Sequence, residues 1–365
     1  MSRNKYVSAL CAAACGALLA VAPVLAEPFT VTDMTDREVK FEKPAERIIV
    51  FPVPWSSTVI ALDGSADKLV AVHPEAKIAI DEGVLAEFYP RVKELPSDIL
   101  SGGADKGFMP NVEAVAALKP DLVIQWGKRK DDFVSPLTNA GINTGAIVYG
   151  AEDNARQIMT FIAKSMGLSD KLGTLIQWRD DTAKVLADGL AGVAEADKPK
   201  VAYFFYTTPE FHTEGKGSYM DWQINLAGGV NAAHEIDGNG AVSLEQIAKW
   251  DPDVILLGSF EPKVSVSRIY DDPILGGTKA AKSNRVYKVP VGGYRWDPPS
   301  QESPLMWMWL SSILHPDRFK FDVRATAVEW YKKIYGQDLT QEQLDRILQL
   351  EMNAKGAGYE RFAHK

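Results

Sequence analysis

Short apolar runs alternate with segments of helical periodicity along most of the chain. The runs are rich in Val and Ile and end at turn residues, which is typical of strands buried in a parallel sheet. Between them, apolar positions recur at the spacing of a helix face. A hairpin is predicted at 29–41, strands at 47–51, 68–72, 121–126, 144–149, 200–206, 253–257 and 285–289, and helices at 56–62, 112–118, 133–140, 218–227 and 244–249. This alternation predicts an α/β fold with mostly parallel sheets.

The middle of the chain has a different pattern. A helix is predicted from Asn154 to Met166, and a second, longer helix starts at Ser169 after Gly167. The second helix would have about 25 residues and span roughly 37 Å, which is longer than a crossover between neighbouring strands needs. Two further helices are predicted near the end of the chain, at 326–335 and 341–352.

One internal match indicates how these elements are organised. Segment 111–124 aligns without gaps to segment 243–256, and each has a capping residue, a two-turn helix, a Pro-Asp turn and a buried strand. Two copies in register indicate two homologous lobes, which the long helix joins around a cleft. The predicted division is a leader at 1–26, an N-terminal α/β lobe at 27–152, a connecting helical segment at 153–197, a C-terminal α/β lobe at 198–320 and a helical extension at 321–365.

The first 26 residues have the features of a secretory signal peptide. Arg3 and Lys5 precede an apolar run at 7–21, and cleavage is expected after Ala26. The run has about 15 residues, fewer than the roughly 20 that a membrane-spanning helix needs. A lipoprotein attached through Cys15 is the alternative, which the absence of the expected Leu upstream disfavours. We therefore expect an exported, periplasmic protein.

Composition narrows the possible chemistry. The 365 residues are 46% hydrophobic and 24% charged, which is ordinary for a globular protein. The only two cysteines, Cys11 and Cys15, lie in the predicted leader, so the mature chain would have no disulfide, cysteine-bound metal or cysteine nucleophile. The net charge of -8 argues against a nucleic-acid partner, which would favour a basic surplus.

Candidate binding residues follow the predicted strands. In two-lobed α/β proteins, ligands bind at the carboxyl ends of the strands, in the crevice between the lobes. Aromatic rings and a guanidinium at this position suit a planar or chelated anion, although each ring could instead pack in the core. The candidate ligand-binding residues are Trp55, Trp126, Tyr206, Tyr294, Arg295 and Trp296.

A site for a bare metal ion is not expected. Only His73, His212 and His234 remain as candidates once the histidines near the end of the chain are set aside, and they form no ligand motif. The sequence therefore predicts no protein-bound metal and no resident cofactor. We expect a metal that arrives already chelated.

The ordered set of these segments resembles the substrate-binding proteins of ABC importers for iron–siderophores, haem, cobalamin and related metal chelates. The resemblance covers 28–320 and rests on 47–50, 111–124, 217–231 and 243–253. It implies two Rossmann-like lobes on one backbone helix, as in class III periplasmic binding proteins, and a monomer that works without catalysis. It also implies an inner-membrane ABC permease as partner. Glu113 and Glu245 occupy equivalent positions in the repeats and would dock to this permease, unless they serve only as helix caps.

The preferred function is capture of a metal chelate, foremost a ferric siderophore, and its delivery to the permease. The same architecture could bind haem, cobalamin or a molybdate- or tungstate-type oxyanion held by Arg295. Alternatives of another class are an exported α/β enzyme or a surface sensor. The sequence has no Gly-x-Ser-x-Gly, phosphate-loop or His-Glu-x-x-His motif, which disfavours the enzyme. Because the chain is acidic, attraction of an anion must be local, at Arg295 or at Lys128 and Arg129.

Overall fold

The computed structural model of the protein describes residues 27–101, 107–129 and 131–364. The predicted leader, with Cys15 and the expected cleavage site after Ala26, lies outside these residues. In the part of the chain that is described, no helix is both long enough and apolar enough to cross a membrane.

The first lobe is built on a four-stranded parallel sheet. It follows an antiparallel hairpin and has the strand order β4-β3-β5-β6. Alternate residues of its central strands pack into two separate apolar clusters, one on each face, which explains why the strands read as unbroken apolar runs. The elements are β1 (Phe29–Thr32), β2 (Glu38–Phe41), β3 (Ile48–Val50), α1 (Trp55–Asp63), β4 (Leu69–Val72), α2 (Pro74–Glu82), α3 (Leu85–Phe88), α4 (Val112–Ala117), β5 (Leu122–Trp126), α5 (Ser135–Asn139) and β6 (Thr144–Ile147).

Two helices then lead to the second lobe, α6 (Glu152–Ser165) and α7 (Ser169–Gly189). With 21 residues, α7 spans about 31 Å and is one turn shorter than the sequence pattern predicts. The apolar pattern continues past Gly189, but Gly192 adopts a positive φ of 78° and the chain has left the helix there.

A buried arginine fixes this connection to the second lobe. Arg179 on α7 donates to Glu152 at 2.7 Å, to the carbonyl of Ser300 at 2.7 Å and to the hydroxyl of Tyr219 at 2.8 Å. Each polar edge of the guanidinium is therefore used, as a buried charge requires. The connecting helices consequently form a stiff link that restricts hinge motion between the lobes.

The second lobe repeats the architecture of the first. Its parallel sheet has the order β12-β11-β7-β9, which read from the other edge is β9-β7-β11-β12. In both lobes the second strand along the chain therefore lies at one edge, followed by the first, the third and the fourth. An antiparallel pair, β8 with β10, is added to this plan and was absent from the sequence prediction. The elements are β7 (Lys200–Phe204), β8 (Phe211–Glu214), α8 (Tyr219–Leu226), β9 (Val230–Asn231), β10 (Asn239–Val242), α9 (Leu244–Trp250), β11 (Val254–Leu257), α10 (Ser267–Tyr270), α11 (Lys279–Lys282), β12 (Val286–Lys288) and α12 (Ser303–Leu314).

The repeated sequence segment occupies the same place in both lobes, where α4 leads into β5 and α9 into β11. The carboxylate of Asp121 accepts the backbone N–H of Arg47 at 2.9 Å. In the second lobe, the carboxylate of Asp253 accepts the backbone N–H of Lys200 at 2.9 Å. The Pro-Asp turn therefore ties the start of the neighbouring strand in each lobe, which gives the repeated aspartate a structural role.

The extension comprises α13 (Val323–Tyr335), α14 (Gln341–Ile347) and a short 3₁₀ helix at Tyr359–Phe362. It contacts both lobes. Arg346 pairs with Glu87 of the first lobe at 2.5 Å, and Asn353 exchanges two hydrogen bonds with the backbone of Lys288 in the second. The extension thus bridges the lobes on one side.

A buried carboxylate joins the extension to the loop that carries Arg295. Glu302 accepts hydrogen bonds from the indole N–H of Trp296 at 2.8 Å and from the hydroxyls of Tyr331 at 2.7 Å and Tyr335 at 2.5 Å. Burial raises the pKa of Glu302 even though these donors oppose the shift. This cluster holds the loop after β12 rigidly against α13.

Candidate functional site

The strand ends of both sheets contribute side chains to a cleft between the lobes. In the first sheet, the chain leaves β3 toward one edge and β5 toward the other. The chain leaves β7 and β11 of the second sheet in the same way. This switch point opens a crevice at the carboxyl edge of a parallel sheet. The two crevices supply the two walls of the cleft.

A row of rings forms the first wall. The centroid distances are 4.8 Å between His73 and Phe108, 6.1 Å between Phe108 and Trp126, and 6.3 Å between Trp126 and Tyr149. The guanidinium carbon of Arg129 lies 4.8 Å from the centre of the Trp126 ring. This wall offers broad apolar surface with one cation beside it.

Both ring nitrogens of His73 are used by the fold. Its Nδ1 accepts the backbone N–H of Glu75 at 3.1 Å and caps α2, which leaves Nε2 to donate to the carbonyl of Gly107 at 3.2 Å. Burial lowers the pKa of His73, so the ring is neutral at pH 7. Among the described residues, no group of three or more His, Cys, Asp or Glu side chains is arranged to hold a metal ion.

The second wall consists of Phe205, Tyr206 and Phe260. The ring of Phe260 lies 6.2 Å from Phe205 and 5.9 Å from Tyr206. The two loops that carry these rings are tied together, because the carboxylate of Glu261 accepts the backbone N–H of Thr207 at 2.6 Å and its hydroxyl at 2.8 Å. The ring positions are therefore set by a polar contact behind the wall.

A buried ammonium supports the same loop. Lys288 donates to the carbonyls of Gly258 at 2.8 Å and Glu261 at 2.7 Å. Burial lowers the pKa of Lys288 to about 8, although the carboxylates of Asp297 and Glu261 oppose the shift. The residue holds the loop in place and adds positive charge behind the second wall.

Arg295 is the central feature of the cleft. Only 1% of the residue is exposed, and its guanidinium carbon lies 4.6 Å from the centre of the Phe260 ring. Its Nη2 donates to Glu82 of the first lobe at 3.3 Å, whereas its Nε and Nη1 are buried without a hydrogen-bond partner within the described ranges. The hydroxyl of the neighbouring residue, Tyr294, is also buried and has no hydrogen-bond partner among the described residues. Because buried donors are normally satisfied, this arrangement is typical of a binding site.

Two side-chain contacts join the lobes. Arg295 contacts Glu82, and the hydroxyl of Tyr149 donates to Glu214 of the second lobe at 3.2 Å. Burial of Glu214 raises its pKa to about 7. In this structure the lobes are therefore in direct contact, an arrangement that we call the closed form.

Three of the residues predicted to bind ligand lie on the cleft walls. Trp126 is in the first wall, Tyr206 in the second, and Arg295 lies behind Phe260 in the second. The sequence analysis did not single out Tyr149 or Glu82. Tyr149 is the last residue of the strand predicted at 144–149, so the position at a strand end could have identified it, but Glu82 ends a helix that the pattern does not predict.

The other three predicted ligand residues are fully buried. Trp55 is the first residue of α1 and lies in the core of the first lobe. The indole N–H of Trp296 is already bonded to Glu302. Tyr294 lies directly beneath the cleft next to Arg295. Of the three, Tyr294 is therefore the one that combines a free donor with a position beside the guanidinium.

The predicted docking residues, Glu113 and Glu245, are both exposed and are the second residues of α4 and α9. The side chains of Asn111 and Ser243 already cap these helices, accepting backbone N–H groups at 3.1 and 3.2 Å. Hydrogen bonds from its own backbone N–H and from Ser243 lower the pKa of Glu245. The two carboxylates are thus accessible at equivalent positions.

Comparison with known protein families matches residues 59–291 to the family of periplasmic binding proteins. The chain belongs to this family. A solved structure of a periplasmic solute-binding protein from Veillonella parvula is similar to this periplasmic binding protein with a TM-score of 0.78, at 31% identity over 90% of this chain and 98% of that one.

Two relatives are named for their ligands. The molybdate-binding protein MolA of Haemophilus influenzae is 27% identical over 330 residues, 84% of this chain and 90% of its own. The solved structure of MolA with molybdate, from an ABC transporter, has a TM-score of 0.74 at 24% identity, over 86% of this chain and 99% of that one. A cobalamin-binding protein of Halobacterium salinarum is 28% identical over 232 residues, 59% of this chain and 60% of its own.

These comparisons confirm the predicted class of protein. The fold is that of two-lobed periplasmic binding proteins with parallel sheets, and the protein is an extracytoplasmic solute-binding component of an ABC transporter. The prediction that it is a transport protein and not an enzyme is also confirmed, because its relatives are substrate-binding proteins.

Proposed function

We propose that this periplasmic binding protein captures a compact, oxygen-rich anion of the molybdate class between its lobes and delivers it to an ABC permease. The observation that carries the proposal is Arg295, whose Nε and Nη1 are buried between the lobes without partners among the described residues. An oxyanion offers only acceptors, and a guanidinium forms its strongest hydrogen bonds to such oxygens.

Other free donors near the cleft support the same ligand class. The indole N–H of Trp126 and the hydroxyl of Tyr294 are buried and have no partner in the described part of the chain. Lys288 adds a positive charge behind the wall, close enough to Arg295 for each to affect the other. The site therefore combines local positive charge with several N–H and O–H groups in a protein that is acidic overall.

The closeness of the lobes favours a small ligand. Direct side-chain contacts join the lobes, from Arg295 to Glu82 and from Tyr149 to Glu214. Lobes this close together favour a compact ligand over haem or cobalamin. The match to MolA, which extends over most of both chains, supports an oxyanion as well.

A ferric siderophore or another anionic iron chelate is the second candidate. The aromatic rings of both walls favour it, since Trp126, Phe108 and Phe260 offer broad surface to a flat or chelated ligand. It would require the lobes to stand further apart than they do here. The metal would then be cargo inside the chelate, with no bond to the protein required.

Fluorescence titration tests these ligands directly, because Trp126 lies in the cleft wall. We expect a saturable change with micromolar sodium molybdate. The variant Arg295→Gln should bind about tenfold or more weakly, because charge-assisted hydrogen bonds contribute roughly 1.5–3 kcal/mol each. Arg318→Gln is the matched control, since Arg318 is exposed and bonds only to backbone carbonyls of 189 and 191.

The outcomes separate the two candidates. A response to ferric siderophores or ferric citrate without one to molybdate would replace the first candidate by the second. No saturable response to any of these ligands would refute both. Equal molybdate affinity in the wild type and in Arg295→Gln would remove Arg295 from the site.

We also propose that Glu113 and Glu245 dock to the permease, one on each lobe. Their equivalent, exposed positions match a permease with two similar halves. We further propose that the leader is removed after Ala26 and that the mature protein is a monomer in the periplasm. The proposed first lobe ends at 152, and the proposed second lobe begins at 198.

A further inference from the structure

The contact between Glu82 and Arg295 is incomplete on both sides. Their atoms Oε2 and Nη2 are 3.3 Å apart, whereas charge-assisted hydrogen bonds of this type are usually about 2.7–2.9 Å long. Only one nitrogen of the guanidinium is engaged. Glu82 is thus close enough to affect a ligand that binds at Arg295, but it does not use all the hydrogen-bond donors of the guanidinium.

The backbone holds Glu82 at this place. It is the last residue of α2, and the N–H of Val84 donates to the carbonyl of Gly292 at 3.0 Å, in the loop that carries Arg295. The Glu82 side chain is 24% exposed, against 1% for that of Arg295. Water can therefore reach the carboxylate, while the guanidinium is enclosed by protein.

An anion at Arg295 would bring a second negative charge next to this carboxylate. Burial already raises the pKa of Glu82, Arg295 opposes the shift, and Glu75 on the same helix adds to it. Lys288, on another element, also opposes the rise in the pKa of Glu82. Charged residues of the extension line a cavity together with Glu82, namely Glu342, Asp345, Arg346 and Glu351. A bound anion would raise the pKa of Glu82 further, because it repels the carboxylate and takes up the positive charge of Arg295.

We infer that Glu82 takes up a proton when an anion binds at Arg295, so that anion capture is coupled to protonation of this carboxyl group. Once protonated, Glu82 donates a hydrogen bond to the anion in place of repelling it. Glu82 is then a specificity-determining residue, because it favours anions that present an acceptor oxygen to its carboxyl group. The inference rests on the proposed function, since it needs an anion at Arg295.

The sign of the pH effect follows from linkage. Protonation accompanies binding only at pH values between the pKa of Glu82 in the free protein and its higher pKa in the complex. Within this window, affinity falls as pH rises, by at most tenfold per pH unit for one proton. Affinity is constant below and above the window.

Isothermal titration calorimetry with micromolar sodium molybdate between pH 5.5 and 8.5 tests this inference. Repeating each titration in buffers of different ionisation enthalpy measures the protons taken up per anion. For the wild type we expect uptake approaching one proton and an affinity that falls as pH rises. Glu82→Gln should show no uptake, no pH dependence and tighter binding than the wild type at pH 8.5.

Asp81→Asn is the matched control, because Asp81 is the exposed neighbour of Glu82 on the same helix and its variant should keep the wild-type pH dependence. Binding by the wild type without proton uptake, or an unchanged pH dependence in Glu82→Gln, would overturn the inference and leave the proposed function intact. No molybdate binding by the wild type or by Glu82→Gln at any pH would refute the oxyanion ligand and this inference together. The proton count on the wild type decides the question even if Glu82→Gln does not fold.

Discussion

Arg179 and Arg295 have the same side chain and the same exposure of 1%, but opposite hydrogen-bonding situations. Arg179 donates to Glu152, Ser300 and Tyr219, so its charge is compensated within the fold. Arg295 has one long contact and two unpartnered nitrogens in the described structure. At the scale of single residues, equal burial thus conceals a difference in hydrogen bonding, and this difference is the reason why the proposed function assigns a ligand to Arg295 and not to Arg179.

Glu214 leads to a prediction about pH and stability. Its pKa is about 7 in the folded protein and near the ordinary value of 4.5 when unfolded, so the folded state binds the extra proton between these values. The contribution of this group to stability is present below pH 4.5 and is lost as pH rises to about 7. Glu214→Gln, which stays neutral, should lose this part of the pH dependence.

Thermal unfolding of both proteins between pH 5 and pH 8 checks this expectation. The fall in Tm from pH 5 to pH 8 should be smaller in Glu214→Gln by a few degrees, since about 1 kcal/mol corresponds to roughly 2–4 °C in domains of this size. Tyr149→Phe is the companion variant, because it removes the hydroxyl that donates to Glu214 and keeps the carboxyl group. Identical pH profiles for the wild type and Glu214→Gln would contradict the assignment.

At the scale of elements, α2 and the loop after β12 form the contact that brings the lobes together beside Arg295. Gly83, directly after α2, has ordinary extended dihedral angles, so alanine is allowed by its backbone. A Cβ at this position would nevertheless lie 2.3 Å from the carbonyl oxygen of Gly292 in the other lobe. The glycine is needed for the close approach of two backbones.

Gly83→Ala should therefore destabilise the closed form. Overpacking of this kind costs about 1–3 kcal/mol, which corresponds to roughly 5- to 150-fold weaker ligand binding if the cost falls only on the closed form. Gly173→Ala is the control, because Gly173 lies on the exposed face of α7 with no atom within 4 Å of the added Cβ. Titration and thermal unfolding of both variants give the answer. A lower Tm with unchanged affinity for Gly83→Ala would show that this contact persists when the cleft opens.

At the scale of the whole molecule, the two lobes share one strand order and present Glu113 and Glu245 at equivalent positions. The stiff connection through α6 and α7 and the bridge made by the extension both limit how far the lobes can separate. Under the proposed docking through Glu113 and Glu245, recognition by the permease would depend on a modest change in the spacing of the two lobes, with one contact on each.

Replacing Glu113 and Glu245 by alanine together should abolish stimulation of the permease ATPase while leaving ligand affinity unchanged. Charge pairs buried on docking contribute about 2–5 kcal/mol when one partner is removed, so each single variant should show partial loss. Glu342→Ala is the matched control, since Glu342 is an exposed glutamate in the first turn of a capped helix. Stimulation measured with permease in liposomes checks this expectation. Full stimulation by the double variant, or loss of its ligand affinity, would contradict docking by these residues.

The parts of the fold that depend on local pattern could be predicted from the sequence. Apolar periodicity and turn residues predict the four sheet strands of the first lobe, three of the four in the second, the connecting helix and the repeated segment at 111–124 and 243–256. The two-residue strand β9 is not predicted. The role of the repeated aspartate also recurs in both lobes. Short helices such as α2, with few apolar positions, and the pair of β8 with β10 were missed, because a few residues carry too weak a periodic signal.

The binding site could be predicted only in outline. Because parallel strands bring their carboxyl ends to one edge, strand ends select Trp126, Tyr206 and Arg295 as candidates, and their role in ligand binding stays a prediction. The sequence pattern does not show which donors remain unpartnered or that Glu82 faces Arg295. Such features depend on contacts between distant residues, and Glu82 and Arg295 are 213 positions apart. Hydrophobic periodicity is a property of residues that are close in the sequence, so it can be recognised from the sequence alone. The pairing of polar groups across the cleft is set by how two separately folded lobes meet, and it emerges only once the chain is packed.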